Sequence, residues 1–443
     1  MFAAFARREI RWMLTATFLS AIGRGLTLPF LLIYLAEVRD LPVALVGVAI
    51  GWMGVVSLAT APLGGILIDR YGARLVLLPV LLCQVVGTAS LAWVGTIGQA
   101  VAALTVVGMA GSTQFAAVST ILASLAGEGE RQRVFGFNFT LLNLGIGVGG
   151  LLAGWYVDLQ RVATFQLLYL VDAATFLAPL LIVLLLRHIG GRVKAAPGAA
   201  SGDAASGGPG GYAVLLRDRP YRRLVLLGMV LAVCGYAQID VGFTAFASQV
   251  SQVTPRVIGW AFAANSVTIV VLQLFVLRWL EGRSRTRALA GVGVVWGVAW
   301  AILAVTGLAD GGFALAAAGV VTCMVVFSMG ETLFSPVMPA LTNALAKPEL
   351  RGRYNAVGTM TFGLSSVVGP LTAGPLIGSG LAVVWAGLTV GGCLLAAMLA
   401  LGLRGHLTAE QDGRPVVGTP PAGTPPASTA AAGSASVDVS AVA

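Results

Sequence analysis

Long apolar runs, each bounded by charges or turn residues, alternate with short polar connections along almost the whole chain. A helix that crosses a bilayer needs about 20 predominantly apolar residues. Twelve runs meet that length: 10–36, 43–68, 75–96, 100–126, 134–157, 164–187, 223–249, 257–280, 287–308, 312–345, 354–378 and 381–404. The first has no small-residue cleavage site after a short apolar core, so it reads as a retained span. Two stretches break the alternation. Residues 188–222 carry the run AAPGAASGDAASGGPGG, a flexible linker composition. Residues 405–443 hold almost no large apolar group and are predicted to be disordered. The pattern predicts an all-α membrane protein of twelve transmembrane helices in two pseudo-symmetric six-helix bundles, 1–187 and 223–404. A cytoplasmic linker (188–222) would join them, and a cytoplasmic tail (405–443) would follow.

Composition narrows the class. Of 443 residues, 57% are apolar and 10% charged, with a mean hydropathy of +0.90. A soluble domain carries about 25% charged residues. This chain therefore cannot cover a globular surface, and water-soluble enzymes and nucleic-acid binders are excluded despite the net charge of +9. The positive charge instead sets orientation, because basic loops stay cytoplasmic. With the N-terminus inside, every Arg and Lys falls on the inner side except Arg39, Arg161 and Arg256, and Arg24 within a span. Both termini are then cytoplasmic. Arginine far outnumbers lysine (only Lys194 and Lys347), and Ala and Gly abound, as in a GC-rich bacterial genome. A bacterial plasma membrane is the expected location. The four cysteines are widely spaced inside apolar runs, and His188 and His406 lie outside them. No disulfide framework, metal or cofactor is expected.

The two halves carry matching residues. At an offset of 220, Arg131, Arg133, Gly149 and Gly154 match Arg351, Arg353, Gly369 and Gly374. At an offset of 212, Arg11, Gly23 and Gly47 match Arg223, Gly235 and Gly259. Parallel six-span halves are one known transporter architecture.

Between the second and third spans stands Gly65-Ile-Leu-Ile-Asp69-Arg70-Tyr-Gly72-Ala73-Arg74. Gly65 would allow close helix approach, and Gly72 a tight turn. Asp69 could face the positive N-terminal end of another helix, while Arg70 and Arg74 hold the loop inside. This segment resembles the signature loop of the major facilitator superfamily, departing from it at Ala73, where the family usually has an Arg. Gly330-Glu331 through Pro336, the loop Lys347 to Tyr354, and Tyr169 to Phe176 are similar to the twelve-span drug-efflux branch, the drug:proton antiporters. The fifth span lacks the Gly-Pro pair typical of antiporters, which occurs instead as Gly369-Pro370. The fourth has no Arg before Gly108, where many proton-coupled members carry one.

Charges inside a bilayer are costly and mark function by default. At 1.5 Å per residue, Arg24 lies about 21 Å into its span, Asp240 about 25 Å and Glu331 about 28 Å. Polar residues recur at helical spacing beside each. The resemblance implies that the first, fourth, seventh and tenth spans line a central cavity. Arg24, Asp240 and Glu331 are thus expected to form a central proton-coupling site, a structural ion pair being the alternative. Asp172, about 12 Å from a span end, is expected to reach the membrane interface. Gln114, Gln238 and Asn265 are candidate substrate contacts, with helix–helix hydrogen bonding the alternative. Pro336 and Pro339 are expected to kink the tenth span.

These residues predict a secondary transporter that works by alternating access and exports small amphipathic compounds or drugs by proton-coupled antiport. Its partners would be a small-molecule substrate, protons and the lipid bilayer, with no nucleic acid and a monomeric state. A carrier for a specific metabolite, importer or exporter, is the alternative, and a membrane receptor is the reading from a different class. No Ser/His/Asp set or Walker-type phosphate loop argues for an enzyme or an ATP-driven pump.

Overall fold

A computed structural model of the chain describes residues 7–126, 130–186, 215, 217–346 and 350–414. Twelve helices among them are long and apolar enough to span a membrane. They are α1 (Arg8–Val38), α2 (Val43–Tyr71), α3 (Ala73–Leu91), α4 (Ile97–Leu125), α5 (Arg131–Tyr156) and α6 (Val162–Leu185). The second six are α7 (Arg219–Phe243), α8 (Pro255–Leu280), α9 (Arg285–Leu308), α10 (Gly312–Leu345), α11 (Arg351–Gly378) and α12 (Ala382–Arg404). No strand occurs among the described residues.

Local chemistry fixes the boundaries. The chain reverses between α2 and α3 at the single residue Gly72, whose φ of 88° suits glycine. The third span ends five residues earlier than its apolar run. Tyr34 Oη donates to the carbonyls of Leu91 and Ala92 at 3.0 and 2.9 Å, and Thr96 with Gln99 forms a capping box that starts α4. Asp218 caps α7, which therefore starts inside the segment expected to be linker. The rest of the linker region lies largely outside the described residues. The helix α10 runs unbroken through Pro336 and Pro339.

The tail is the main correction. Residues 405–414 are packed, not disordered. Asp412 is fully buried and accepts from Ser284 Oγ at 2.7 Å and from Thr286 N and Oγ1, both at 2.9 Å. It also pairs with Arg414 at 2.9 Å. The carboxylate thereby caps the first turn of α9, where the helix dipole favours a negative charge. Composition missed this because one acid meeting three donors outweighs the lack of apolar groups around it. Residues 415–443 lie outside the described residues.

The two sets of six helices meet where the repeat glycines lie. A Cβ at Gly47 of α2 would come 2.6 Å from the Cα of Gly374 on α11, and one at Gly154 of α5 would come 3.0 Å from the Cα of Gly259 on α8. These crossings all sit toward one end of the molecule, called here the Glu37 end. There Gln249 Nε2 also donates to Glu37 Oε1 at 2.9 Å, and Thr244 Oγ1 to the carbonyl of Pro29 at 3.4 Å. Toward the opposite end, which carries Asp69, a Cβ at Gly65, Gly136 or Gly358 would meet nothing within 4 Å. Among the described residues the close backbone crossings of the halves thus lie toward the Glu37 end, while these three glycines toward the Asp69 end have open space beside them.

Candidate substrate and coupling site

Both α1 and α7 lose regular helical geometry midway, and these breaks set the site. In α1 the α-helix stops at Thr27, a 3-10 turn spans Leu28–Phe30 around Pro29, and a π-helical turn follows at Tyr34–Val38. Proline cannot supply the backbone donor that a continuous helix needs. In α7 the α-helix ends at Cys234. Gly235 follows, pressed against the Trp296 ring where no Cβ would fit, and 3-10 and π turns carry the chain to Phe243. The carbonyls freed by the break are satisfied. Val233 O accepts from Gln238 Nε2 at 2.8 Å, and Cys234 O from Trp300 Nε1 at 2.9 Å. Inside a membrane such breaks persist only where side chains make up the lost bonds.

The expected charges stand in three different states. Arg24 is exposed on the inner face of α1 and, among the described residues, makes no ion pair within 4.0 Å. Asp240, on the π turn of α7, is exposed and has no hydrogen-bond partner among the described residues. Arg24 and Asp240 belong to opposite halves, whereas Arg24 and Asp172 belong to the same half and both line its cavity. Glu331 on α10 is buried and held, accepting a very short hydrogen bond from Tyr236 Oη and one from Asn265 Nδ2 at 3.4 Å. Around Tyr236 lie Trp296, Phe327, Phe334 and Phe362, with ring centroids 5.7 to 6.2 Å away. Among the described residues no direct ion pair joins Arg24 to Asp240 or Glu331.

Asp172 departs from its expectation. It does not reach the interface but is 4% exposed, packed between α1 and α3, with Oδ2 accepting from Thr27 Oγ1 at 2.6 Å. It borders a cavity of about 400 Å³ in the first half, with Arg24, Gln84, Gln114, Tyr169 and the apolar side chains of Met13, Phe115 and Phe176. This cavity is amphipathic. Gln114, a candidate substrate contact, lines it. Gln238 does not: it is 2% exposed, and its Oε1 accepts from Trp385 Nε1 at 2.7 Å while its Nε2 closes the α7 break. Asn265 is committed to Glu331, so its place is beside the acid.

The signature loop is partly as expected. Gly72 makes the turn, and Arg74 Nε donates to the carbonyl of Val183 at 3.0 Å, tying the loop to the end of α6. The Arg70 guanidinium lies over the Tyr71 ring, 5.4 Å from its centroid. Asp69 is exposed, without a hydrogen bond or ion pair among the described residues. Close helix approach belongs to Gly64, where a Cβ would come 2.5 Å from Thr113 Oγ1, and not to Gly65. One residue along a helix turns the face by about 100°, which a glycine pair leaves unresolved in sequence.

Comparison with known proteins agrees with this architecture. The family model described as Major Facilitator Superfamily matches residues 13–254 and again 225–436, once over each half. The chain is 24% identical over 379 residues to the "Multidrug resistance protein MdtH" of Aeromonas hydrophila, covering 84% of this chain and 88% of that protein. It is 22% identical over 389 residues to a "Na(+), Li(+), K(+)/H(+) antiporter" of Planococcus maritimus, covering 82% and 88%. Among solved structures, the nucleoside transporter NupG superimposes with a TM-score of 0.72 at 14% identity, over 90% of this chain and 99% of that one. The peptide transporter POT in complex with sulfate gives 0.73 at 15%, over 90% and 94%. Those two likenesses establish a shared fold. With the family matched across both halves, this is a multi-pass membrane transporter and not an enzyme, and the chain belongs to the Major Facilitator Superfamily.

Proposed function

We propose that this transporter exports small amphipathic compounds across a bacterial plasma membrane in exchange for protons, by alternating access between halves 1–187 and 223–404. The observation that carries the reading is the placement of Arg24 and Asp240. They come from opposite halves, Arg24 in the last turn of regular helix before the break in α1 and Asp240 on the π turn of α7, and no ion pair joins them among the described residues. Opposite charges held apart across a moving interface gain attraction only when the halves rock. With both termini cytoplasmic, as the basic loops require, the Asp69 end is the inner end and this conformation accepts substrate from the cytoplasm. The cavity, polar at Asp172, Gln84 and Tyr169 and apolar at Met13, Phe115 and Phe176, suits a compound with one polar and one apolar end. The multidrug-resistance and antiporter relatives support drug efflux and proton exchange respectively.

The test is counterflow in proteoliposomes with a fluorescent amphipathic dye, with and without an imposed proton gradient. Gradient-driven accumulation supports antiport. Counterflow that ignores the gradient points to a carrier for a specific metabolite, whose polar contacts would come from the same cavity. Absence of counterflow across a broad compound set would make a receptor the better reading.

A further inference from the structure

The cavity in the first half has a polar chemistry that the Arg24–Asp240 pair does not use. Five side-chain oxygens bordering it are buried without a hydrogen-bond partner in the protein: Ser20 Oγ, Gln84 Oε1, Asn138 Oδ1, Tyr169 Oη and Asp172 Oδ1. Buried polar atoms are ordinarily satisfied, and those that are not call for water, an ion or a proton. Asp172 is the charged member. Its Oδ2 is taken by Thr27, while Oδ1 stands against the backbone of α1, where a Cβ at Gly23 would come within 2.5 Å of it. The next residue along α1 is Arg24. The groups that share the cavity wall with the carboxylate include Thr27 and Arg24 from α1, Tyr169 from its own helix, and the uncharged Gln84 and Thr88 from α3. Beyond Tyr169 lies Tyr34, whose hydroxyl accepts from Arg39 Nε at 2.8 Å.

We propose that Asp172 is a proton-exchange site of the first half, and that Arg24 is a counter-charge shared between it and Asp240. The inference rests on the proton-coupled reading of Arg24 and Asp240. Arg24 and Asp172 belong to one half and keep their spacing as the halves rock, whereas Asp240 approaches and recedes. When Asp240 draws close, it neutralises Arg24. The Asp172 carboxylate then loses the cation that favours its ionised form and takes a proton from cavity water at Oδ1. When the halves part, the Arg24 charge acts on Asp172 again, the O–H bond breaks and the proton returns to water. Nothing is oxidised or reduced, and one proton is carried per cycle at this site.

The test needs no substrate. Infrared difference spectra of the purified protein in lipid nanodiscs are recorded through a pH titration, following the C=O stretch of protonated carboxyls. One titrating band is expected to vanish in Asp172→Asn and to persist in Asp240→Asn and Glu331→Gln. Its midpoint should rise by about one pH unit, a tenfold change in proton affinity, in Arg24→Gln and fall in Asp240→Asn. Thr27→Val keeps the acid and removes its hydrogen bond, so it should also raise the midpoint, and it serves where Asp172→Asn does not fold. A spectrum without an Asp172-dependent band, or a midpoint indifferent to Arg24, Asp240 and Thr27, overturns the proposal. The band reports proton binding whether or not transport is gradient-driven, so failure of this site and failure of the antiport reading are seen separately.

Discussion

Gly47 and Gly374 touch backbone to backbone: a Cβ on either would come 2.6 Å from the Cα of the other. The contact joins α2 of one half to α11 of the other and holds the Glu37 end shut. Replacing Gly47 with Leu forces side-chain volume into that crossing. Overpacking of this kind costs about 1–3 kcal/mol, which biases a two-state equilibrium by roughly 5- to 150-fold. Gly47→Leu should thus insert normally but favour the conformation open at the Glu37 end. Cysteine-labelling rates at each end would read this, and unchanged rates at both ends would contradict it.

Asp69 is the second control point. It is exposed and unbonded while the Asp69 end is open. We expect its carboxylate to dock near the start of α11, around Arg353 to Asn355, when that end closes. A contact made in one state only shifts populations without touching substrate. Asp69→Asn should accordingly lower turnover more than substrate affinity. Equal losses in both, or none in either, would leave no role for a latch.

The tail divides at about residue 414. Truncation after Arg414 removes residues that include almost no large apolar group, and transport should survive it. Removing residues 410–443 takes Asp412, together with Arg414, away from Ser284 and Thr286. Leaving the buried Ser284 and Thr286 donors without their acceptor costs about 1–3 kcal/mol, and Asp412→Ala should show the same loss. Thermal unfolding in detergent compares the three: a melting point for Asp412→Ala equal to that of the full chain would mean the buried carboxylate contributes little.

The twelve spans were legible because each is a long apolar run, and the repeat because Gly154, Gly374, Gly47 and Gly259 recur at fixed offsets and prove to be helix crossings. What sequence periodicity missed depends on partners distant along the chain. Gln238 looks like a cavity residue until Trp385, 147 residues on, takes its carbonyl. Asp172 looks shallow when counted along its own helix, yet its burial is set by α1 and α3 packing over it. The breaks in α1 and α7 had local signals, Pro29 and Gly235, that the unbroken apolar character of both runs outweighed. Asp412 had no apolar signal at all.

The three central charges should separate by function. Asp240 is exposed, unbonded and opposite Arg24, whereas Glu331 is buried and already held by Tyr236 and Asn265. A group that exchanges protons with water must be reached by water, which Asp240 is in this conformation; Glu331 could do so only after its two hydrogen bonds part. Asp240→Asn should abolish gradient-driven accumulation while sparing substrate exchange. Glu331→Gln keeps an acceptor for Tyr236 but removes the charge, and it should also uncouple if its bonds open during the cycle. Arg24→Ala should move the pH dependence of transport to higher pH. Without the cation the facing carboxylate is less favoured in its ionised form and keeps its proton further up the scale. An opposite charge beside a carboxylate favours its ionised form, so its loss is expected to displace the profile by about one pH unit or more, one unit being about 1.4 kcal/mol. Transport measured across a pH series in proteoliposomes decides the matter: wild-type coupling and an unmoved profile in all three variants would make these charges structural and end the proton-antiport reading.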